Sequence, residues 1–248
     1  MPLRLANLGE LTCRILSRVP ETQHPQLVVV LCHGFGAPGT DLVPLGEELV
    51  DLRPDLAESV EFIFPAAPLS LEDIGLAGGR AWWHIDMEEL VSAVERGELR
   101  ILRERRPEGI TAARDLLIAL LDERQQQTEL PPSQFVLGGF SQGSMLAVET
   151  ALNWSGPIGG LGLWSSTLVS EEEWRAKAAR LKNVPVVQSH GRQDPLLPFQ
   201  AALLLRDLLI EAGANVDFLE FNGPHTIPYP ALERFADLLQ RLLMQSAK

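Results

Sequence analysis

Residues 26–34 read QLVVVLCHG, an uninterrupted apolar run rich in β-branched residues that stops at a glycine. A strand covered on both faces by other layers has this pattern, whereas a half-exposed strand alternates apolar with polar. Five shorter runs of the same kind follow: 60–65 (VEFIFP), 134–139 (QFVLGG), 159–166 (GGLGLWSS), 184–191 (VPVVQSHG) and 216–221 (VDFLEF). Segments with helical periodicity separate them. DLVPLGEELV follows the first run, and 110–120 sets Ile110, Ala113, Leu117 and Leu120 on one face, with Pro107 expected in that helix's first turn. Ser170 and Glu173 have the spacing of a capping box, and Gly213 is placed to end a helix. The last helix carries Leu232, Phe235, Leu239 and Leu242 on one stripe. Strand–helix–strand repetition predicts an α/β fold: a mostly parallel central sheet with helices on both faces. LTCRILS, near the start, is expected to add an antiparallel edge strand.

In such sheets ligands bind beyond the carboxyl ends of the strands. Three of the predicted strands end there in CHGFG, GGFSQG and SHGRQDP. The second fits G-x-S-x-G over Gly139, Phe140, Ser141, Gln142 and Gly143. A turn this sharp, between a strand and a helix, needs small residues two positions on either side of the serine. It lifts the hydroxyl above the sheet, at a helix N-terminus that favours developing negative charge.

A serine hydroxyl needs a base, and the base needs an orienting acid. With this elbow the chain order is Ser, acid, His. Only His190 and His225 follow Ser141. His225 sits in FNGPHTIPYP, after the last strand, and is assigned as general base and then general acid. Asp194, in the loop after 184–191, is the expected acid. The rival Asp217 falls inside a strand, and His190 at a strand end reads as a scaffold residue. Oxyanion donors are expected from the backbone N–H groups of Gln142 and Phe35, the latter in HGFGAPG after the first strand. His33 is read as a brace for that loop.

With these residues in place, the chain resembles the phospholipase/carboxylesterase family of α/β-hydrolases, the group that includes acyl-protein thioesterases and small bacterial carboxylesterases. LCHGFGAPGTDLVPLGEEL, FPAAP, RAWWHID, GFSQGSMLAVETAL, SHGRQDPLLPFQAA and GPHTIP carry the resemblance, which spans about Gln26 to Leu243. It implies an α/β-hydrolase fold and a serine esterase acting on carboxylic esters or thioesters, with no metal or other cofactor. The family's triad falls on Ser141, Asp194 and His225, and its oxyanion amides on Phe35 and Gln142. RAWWHID resembles a tryptophan-containing loop near the family's acyl pocket. That makes Trp82 and Trp83 candidates for substrate binding; the alternative is that they pack the covering segment onto the core. The chain departs from the family pattern at Ser144, where a glycine is usual, at LWSS (Trp164 to Ser166), and in a longer, more charged stretch from Asp86 to Arg106.

The expected organisation is one hydrolase domain over 1–248, with a covering insertion at about 68–106. Within it RILRERRPE reads as a solvated helix face or loop. A net charge of −12 argues against nucleic acid and against electrostatic attachment to anionic lipid. The absence of a long apolar run argues against membrane insertion. Two cysteines, both in apolar runs, read as buried free thiols rather than a disulfide framework. The expectation is a cytoplasmic monomer or homodimer acting on a small-molecule ester or thioester. Lysophospholipase or acyl-protein thioesterase activity on long acyl chains is the alternative within the same chemistry. A non-catalytic ligand-binding protein on a hydrolase fold is the alternative outside it.

Overall fold

The computed structural model describes residues 1–20 and 22–246. In chain order the elements are β1 (Leu3–Leu8), β2 (Leu11–Leu16), β3 (Leu27–Cys32), α1 (Val43–Leu52), β4 (Val60–Pro65), β5 (Leu69–Ser70), β6 (Arg80–Ala81), α2 (Met87–Glu95) and α3 (Leu99–Glu104). They continue with α4 (Ile110–Thr128), β7 (Phe135–Phe140), α5 (Gln142–Ala151), β8 (Gly160–Trp164), α6 (Glu171–Lys177), β9 (Pro185–Gly191), α7 (Phe199–Glu211), β10 (Asn215–Phe221) and α8 (Tyr229–Ser246).

Eight strands form one sheet in the order β1-β2-β4-β3-β7-β8-β9-β10. Pairing is parallel from β4 through β10 and antiparallel on either side of β2. This is the mostly parallel, helix-covered sheet of the α/β-hydrolases. The β3 run explains the layering. Val28, Val30 and Cys32 belong to the core on one face, while Leu27, Val29 and Leu31 belong to the core on the other. Both side-chain rows of the strand are therefore buried, as its unbroken apolar sequence requires.

LTCRILS is an antiparallel strand, as expected, but β2 is not the edge. It lies between β4 and β1, and β1 is the edge strand. Leu8 pairs with Leu11 across a two-residue turn whose first residue, Gly9, has φ +56°. A positive φ confined to the first turn position is the arrangement that a Gly-X hairpin adopts. Two other local readings also change. Helix α4 begins at Ile110 after Gly109 at φ +92°, so Pro107 precedes the helix, where its carbonyl accepts from the Ile110 N–H. Ser170 adopts the left-handed conformation and its side chain makes no capping bond; Glu173 instead pairs with Arg106. Gly213 does end α7: its N–H donates to Ile210 O and that of Ala214 to Leu209 O, the Schellman pair of bonds.

One buried charge was not legible in VEFIFP. Glu61 is 3% exposed within β4. Arg124 of α4 grips it with both ends of its fork, at 2.6 and 2.7 Å, and Arg4 of β1 reaches the same carboxylate at 3.1 Å. A carboxylate at this depth is tolerable only when paired in this way. Cys13 and Cys32 are free and buried. Burial pushes the Cys13 thiol up to about 12 and raises Cys32 as well, so neither is a thiolate near neutrality.

The covering segment is ordered around the hairpin β5–β6 and helices α2 and α3. Its basic stretch is largely solvated, as expected, with the Arg100 and Arg105 side chains 79% and 62% exposed, and it also pairs with carboxylates around it. Arg103 pairs with Glu171 at 3.1 Å, Arg105 with Glu89 at 2.9 Å, and Arg106 with Glu149 at 3.1 Å and Glu173 at 2.5 Å. Glu149 is 1% exposed on α5 and also receives Arg114 at 3.2 Å and the Trp174 indole N–H at 2.7 Å. Among the described residues no helix is long and apolar enough to cross a membrane.

Candidate active site

Leaving β3, the chain crosses to β4 on one side of it; the later strand β7 lies on the other. The strand order reverses between β3 and β7, the kind of position beyond whose carboxyl ends open α/β sheets bind ligands. Both the HGFG loop and Ser141 sit at that point.

Ser141 joins β7 to α5 with φ +53° and ψ −119°. A non-glycine residue in this region is strained, by about 1–3 kcal/mol. The flanking glycines explain how the strain is imposed. A Cβ on Gly139 would stand 2.3 Å from Cys32 O, and one on Gly143 would stand 2.0 Å from the same atom. Without side chains at both positions, α5 seats its first turn against the end of β3. The Ser141 N–H donates to Trp164 O of β8 at 2.9 Å, which fixes the elbow from the other side. Ser144 is fully buried; its hydroxyl donates to Ser141 O at 2.5 Å.

The structure brings Asp194 and His225 together. His225 Nδ1 lies 2.6 Å from Asp194 Oδ2. Since a carboxylate accepts, Nδ1 carries the proton and Nε2 is left as the basic nitrogen. Asp194 Oδ1 accepts from the Leu196 and Leu197 N–H groups, each at 2.9 Å. Two backbone bonds zip the Asp and His loops: Arg192 N–H to Phe221 O at 2.8 Å and Gln193 N–H to Gly223 O at 3.0 Å. The His225 ring packs at 4.6 Å on Phe140, the residue before Ser141, and Thr226 O accepts from Ser165 Oγ at 3.3 Å. The rival acid Asp217 is exposed on β10 and pairs with Arg234.

Burial opposes ionisation of Asp194, but the His225 bond and the Leu197 and Leu196 amides outweigh it and hold the carboxyl below its ordinary value. The native state therefore binds this proton less readily than the unfolded chain does. The resulting stability is present above the unfolded carboxyl value, about 3.9, and is lost as pH falls through the lower folded value. Urea midpoints of the wild type and Asp194→Asn, followed from near pH 7 into the acid range, are expected to converge on acidification. Parallel acid limbs would show that Asp194 is not linked to folding.

The HGFG loop is held by the covering segment. The Gly36 N–H donates to Arg80 O at 2.9 Å and the Arg80 N–H to Ala37 O at 3.2 Å, so β6 holds the two residues that follow Phe35. The Arg80 guanidinium binds Ala67 O and Pro68 O. His33 is 2% exposed; its Nδ1–H donates to Gly34 O at 2.9 Å and its Nε2 accepts from the Ala67 N–H at 3.0 Å. Burial lowers its affinity for a second proton, which suits a brace. The Gln142 N–H lies in the first turn of α5, where no acceptor exists within the helix.

Gln142 has a second feature that sequence reasoning missed. Its fully buried side chain accepts from the Trp82 N–H at 2.9 Å and donates to Trp83 O at 2.8 Å. The Trp82 indole N–H donates to His33 O at 2.9 Å. One amide side chain thus ties the elbow to the Trp82–Trp83 backbone, and Trp82 ties that backbone to His33 at the start of the HGFG loop. The available signal was a long polar residue amid small and apolar ones. Trp82 and Trp83 are each 2% exposed and belong to the core. Their placement matches packing of the cover onto the core, the alternative to substrate contact. Among the described residues no group of three or more His, Cys, Asp or Glu side chains is arranged to hold a metal ion.

Residues 16–243 match the family model described as Phospholipase/Carboxylesterase. Acyl-protein thioesterase 1 of Emericella nidulans is 27% identical over 229 residues, covering 88% of this chain and 92% of that protein. Its Aspergillus fumigatus counterpart is 28% identical, covering 91% of each. Among solved structures, esterase PE8 superposes with a TM-score of 0.75 at 28% identity, over 94% of this chain and 99% of that one. A carboxylesterase from Mesorhizobium loti, 19% identical, shares the fold with a TM-score of 0.71 over 96% of this chain and 98% of its own.

Proposed function

Since the chain belongs to the phospholipase/carboxylesterase family of hydrolases, we propose that it is a serine carboxylesterase working through an acyl-enzyme on Ser141. The observation that carries this is the strained serine at the β7–α5 elbow, one residue from the ring on which the Asp194-bound His225 packs. In this reading Ser141 Oγ attacks the acyl carbonyl and His225 Nε2 takes its proton. Asp194 holds the imidazole in that tautomer and stabilises the imidazolium. The Phe35 and Gln142 N–H groups receive the oxyanion, a contribution worth about 10²–10³ in turnover per donor. His225 returns the proton to the departing alcohol, then activates water to release the acid.

The names of the relatives favour a second reading of the same machinery, acyl-protein thioesterase activity on long acyl chains. In either case Trp82 and Trp83 act by positioning, through the Gln142 bridge. The proposal takes the chain as one hydrolase domain with residues 68–106 as its cover, cytoplasmic, and a monomer or homodimer. Buried free thiols support the location. Rates on p-nitrophenyl esters from acetate to palmitate, beside matched acyl thioesters, test the choice. Highest kcat/KM on short oxygen esters is the expected result. A maximum on long-chain thioesters would move the assignment to the thioesterase reading.

A further inference from the structure

Asp194 has two histidines within reach, and the reading above uses one. His190, on β9, is wholly buried. Its Nε2 lies 2.7 Å from Leu197 O and 3.3 Å from Asp194 Oδ2. Both neighbours are acceptors, so Nε2 must carry the proton and donate to Leu197 O, with its positive end also facing the carboxylate. Among the described residues the other ring nitrogen, Nδ1, is buried without a hydrogen-bond partner. The Leu197 N–H in turn donates to Asp194 Oδ1 at 2.9 Å. His190, Leu197 and Asp194 thus form a closed ring around the carboxylate that holds His225.

We propose that His190 is a positioning residue for the Asp194–His225 pair: its neutral imidazole fixes the 194–197 loop through Leu197 and shares the negative charge on Asp194 Oδ2 with His225. This rests on the reading of Ser141, Asp194 and His225 given above. The two histidines divide the work by environment. The His225 side chain is 12% exposed, whereas that of His190 has no exposure and, among the described residues, a second proton on its Nδ1 would find no acceptor. Burial accordingly lowers the proton affinity of His190. Asp194 and His225 are the titratable groups acting on it; the remaining ring neighbour is Phe199 at 6.3 Å, with the Arg192 guanidinium on that ring at 5.0 Å.

Removing the donor has two consequences. The loop loses its tether, so the imidazole of His225 is misplaced, and a carboxylate relieved of one N–H pulls harder on the His225 proton. For His190→Leu the expected result is a fall in kcat of roughly 10- to 100-fold with little change in KM. The acid limb of kcat/KM is expected to move to higher pH, and the low-field proton NMR signal of the His225 Nδ1–H to shift. His190→Gln, whose Nε2 can occupy the same donor position, is expected to recover most of kcat; His190→Asn, one methylene shorter, is not. A Leu variant with wild-type kcat and acid limb overturns the proposal. If the Leu variant fails to fold, equal rates for Gln and Asn overturn it instead. Ser141→Ala serves as the control. Turnover surviving in that control would sink the functional reading itself, whereas an inert control beside normal His190 variants would sink only the role of His190.

Discussion

Ser141→Ala is expected to lower kcat for a p-nitrophenyl ester by about 10⁴–10⁶ while leaving KM and the fold nearly unchanged. The substitution removes one oxygen and nothing that packs. Gly139, Gly143 and the bond from the Ser141 N–H to Trp164 O still set the elbow, and the Asp194–His225 pair does not depend on the hydroxyl. The residual rate is what the oxyanion amides and substrate binding supply alone. A companion variant separates chemistry from strain. Ser141→Gly should be equally inactive yet more stable, by about 1 kcal/mol or more, because glycine meets φ +53° and ψ −119° without the steric cost borne by serine. Steady-state rates and urea midpoints for the three proteins check both halves. Full turnover in Ser141→Ala would eliminate the acyl-enzyme. Tight ligand binding without turnover in the wild type would instead favour a binding protein on this fold.

The second large effect is expected at Gly143. An added Cβ would lie 2.0 Å from Cys32 O, 2.5 Å from Cys32 C and 2.6 Å from His33 O. All three are backbone atoms at the carboxyl end of the interior strand β3, so no side chain can swing aside. Helix α5 would have to back away from β3, carrying Ser141 and the Gln142 N–H off the oxyanion loop. Gly143→Ala is expected to cost about 3 kcal/mol or more in stability and to reduce activity in whatever fraction still folds. Gly75→Ala is the converse case. It has φ +84° with nothing within 4 Å of the added carbon, so it reports the conformational cost alone, about 1–2 kcal/mol. A wild-type urea midpoint for Gly143→Ala, whose helical φ adds no conformational cost, would mean that the close approach of α5 to β3 carries no weight.

How much was readable beforehand follows from the range of the forces involved. The apolar runs, the α4 face and the Gly213 terminus are set by burial and by backbone conformation within a few residues, and each appears as a local pattern. Ser170 shows where such a pattern misleads. Its spacing to Glu173 fits a capping box, yet Arg106 draws the carboxylate away from a position 67 residues earlier. Glu61 shows the same in reverse, since nothing in VEFIFP indicates that Arg124 and Arg4 converge on it. The edge strand was missed because β1, with Leu3 and Leu5 exposed, lacks the alternation that marks a half-buried strand.

From the sequence by itself came the parallel α/β architecture, the elbow at Ser141 and the order Ser, Asp, His, because strand burial and tight turns demand particular residues close together along the chain. Only the tertiary structure showed that His190, read from the sequence as a scaffold residue, is sealed against the same carboxylate that His225 meets. The side chain of Gln142 as a strut, Trp82 and Trp83 as its anchors, and the carboxylate partners of the basic stretch also emerged only there. These depend on hydrogen bonds and ion pairs between residues far apart in sequence, and their partners are fixed only once the packed sheet brings them within about 3 Å.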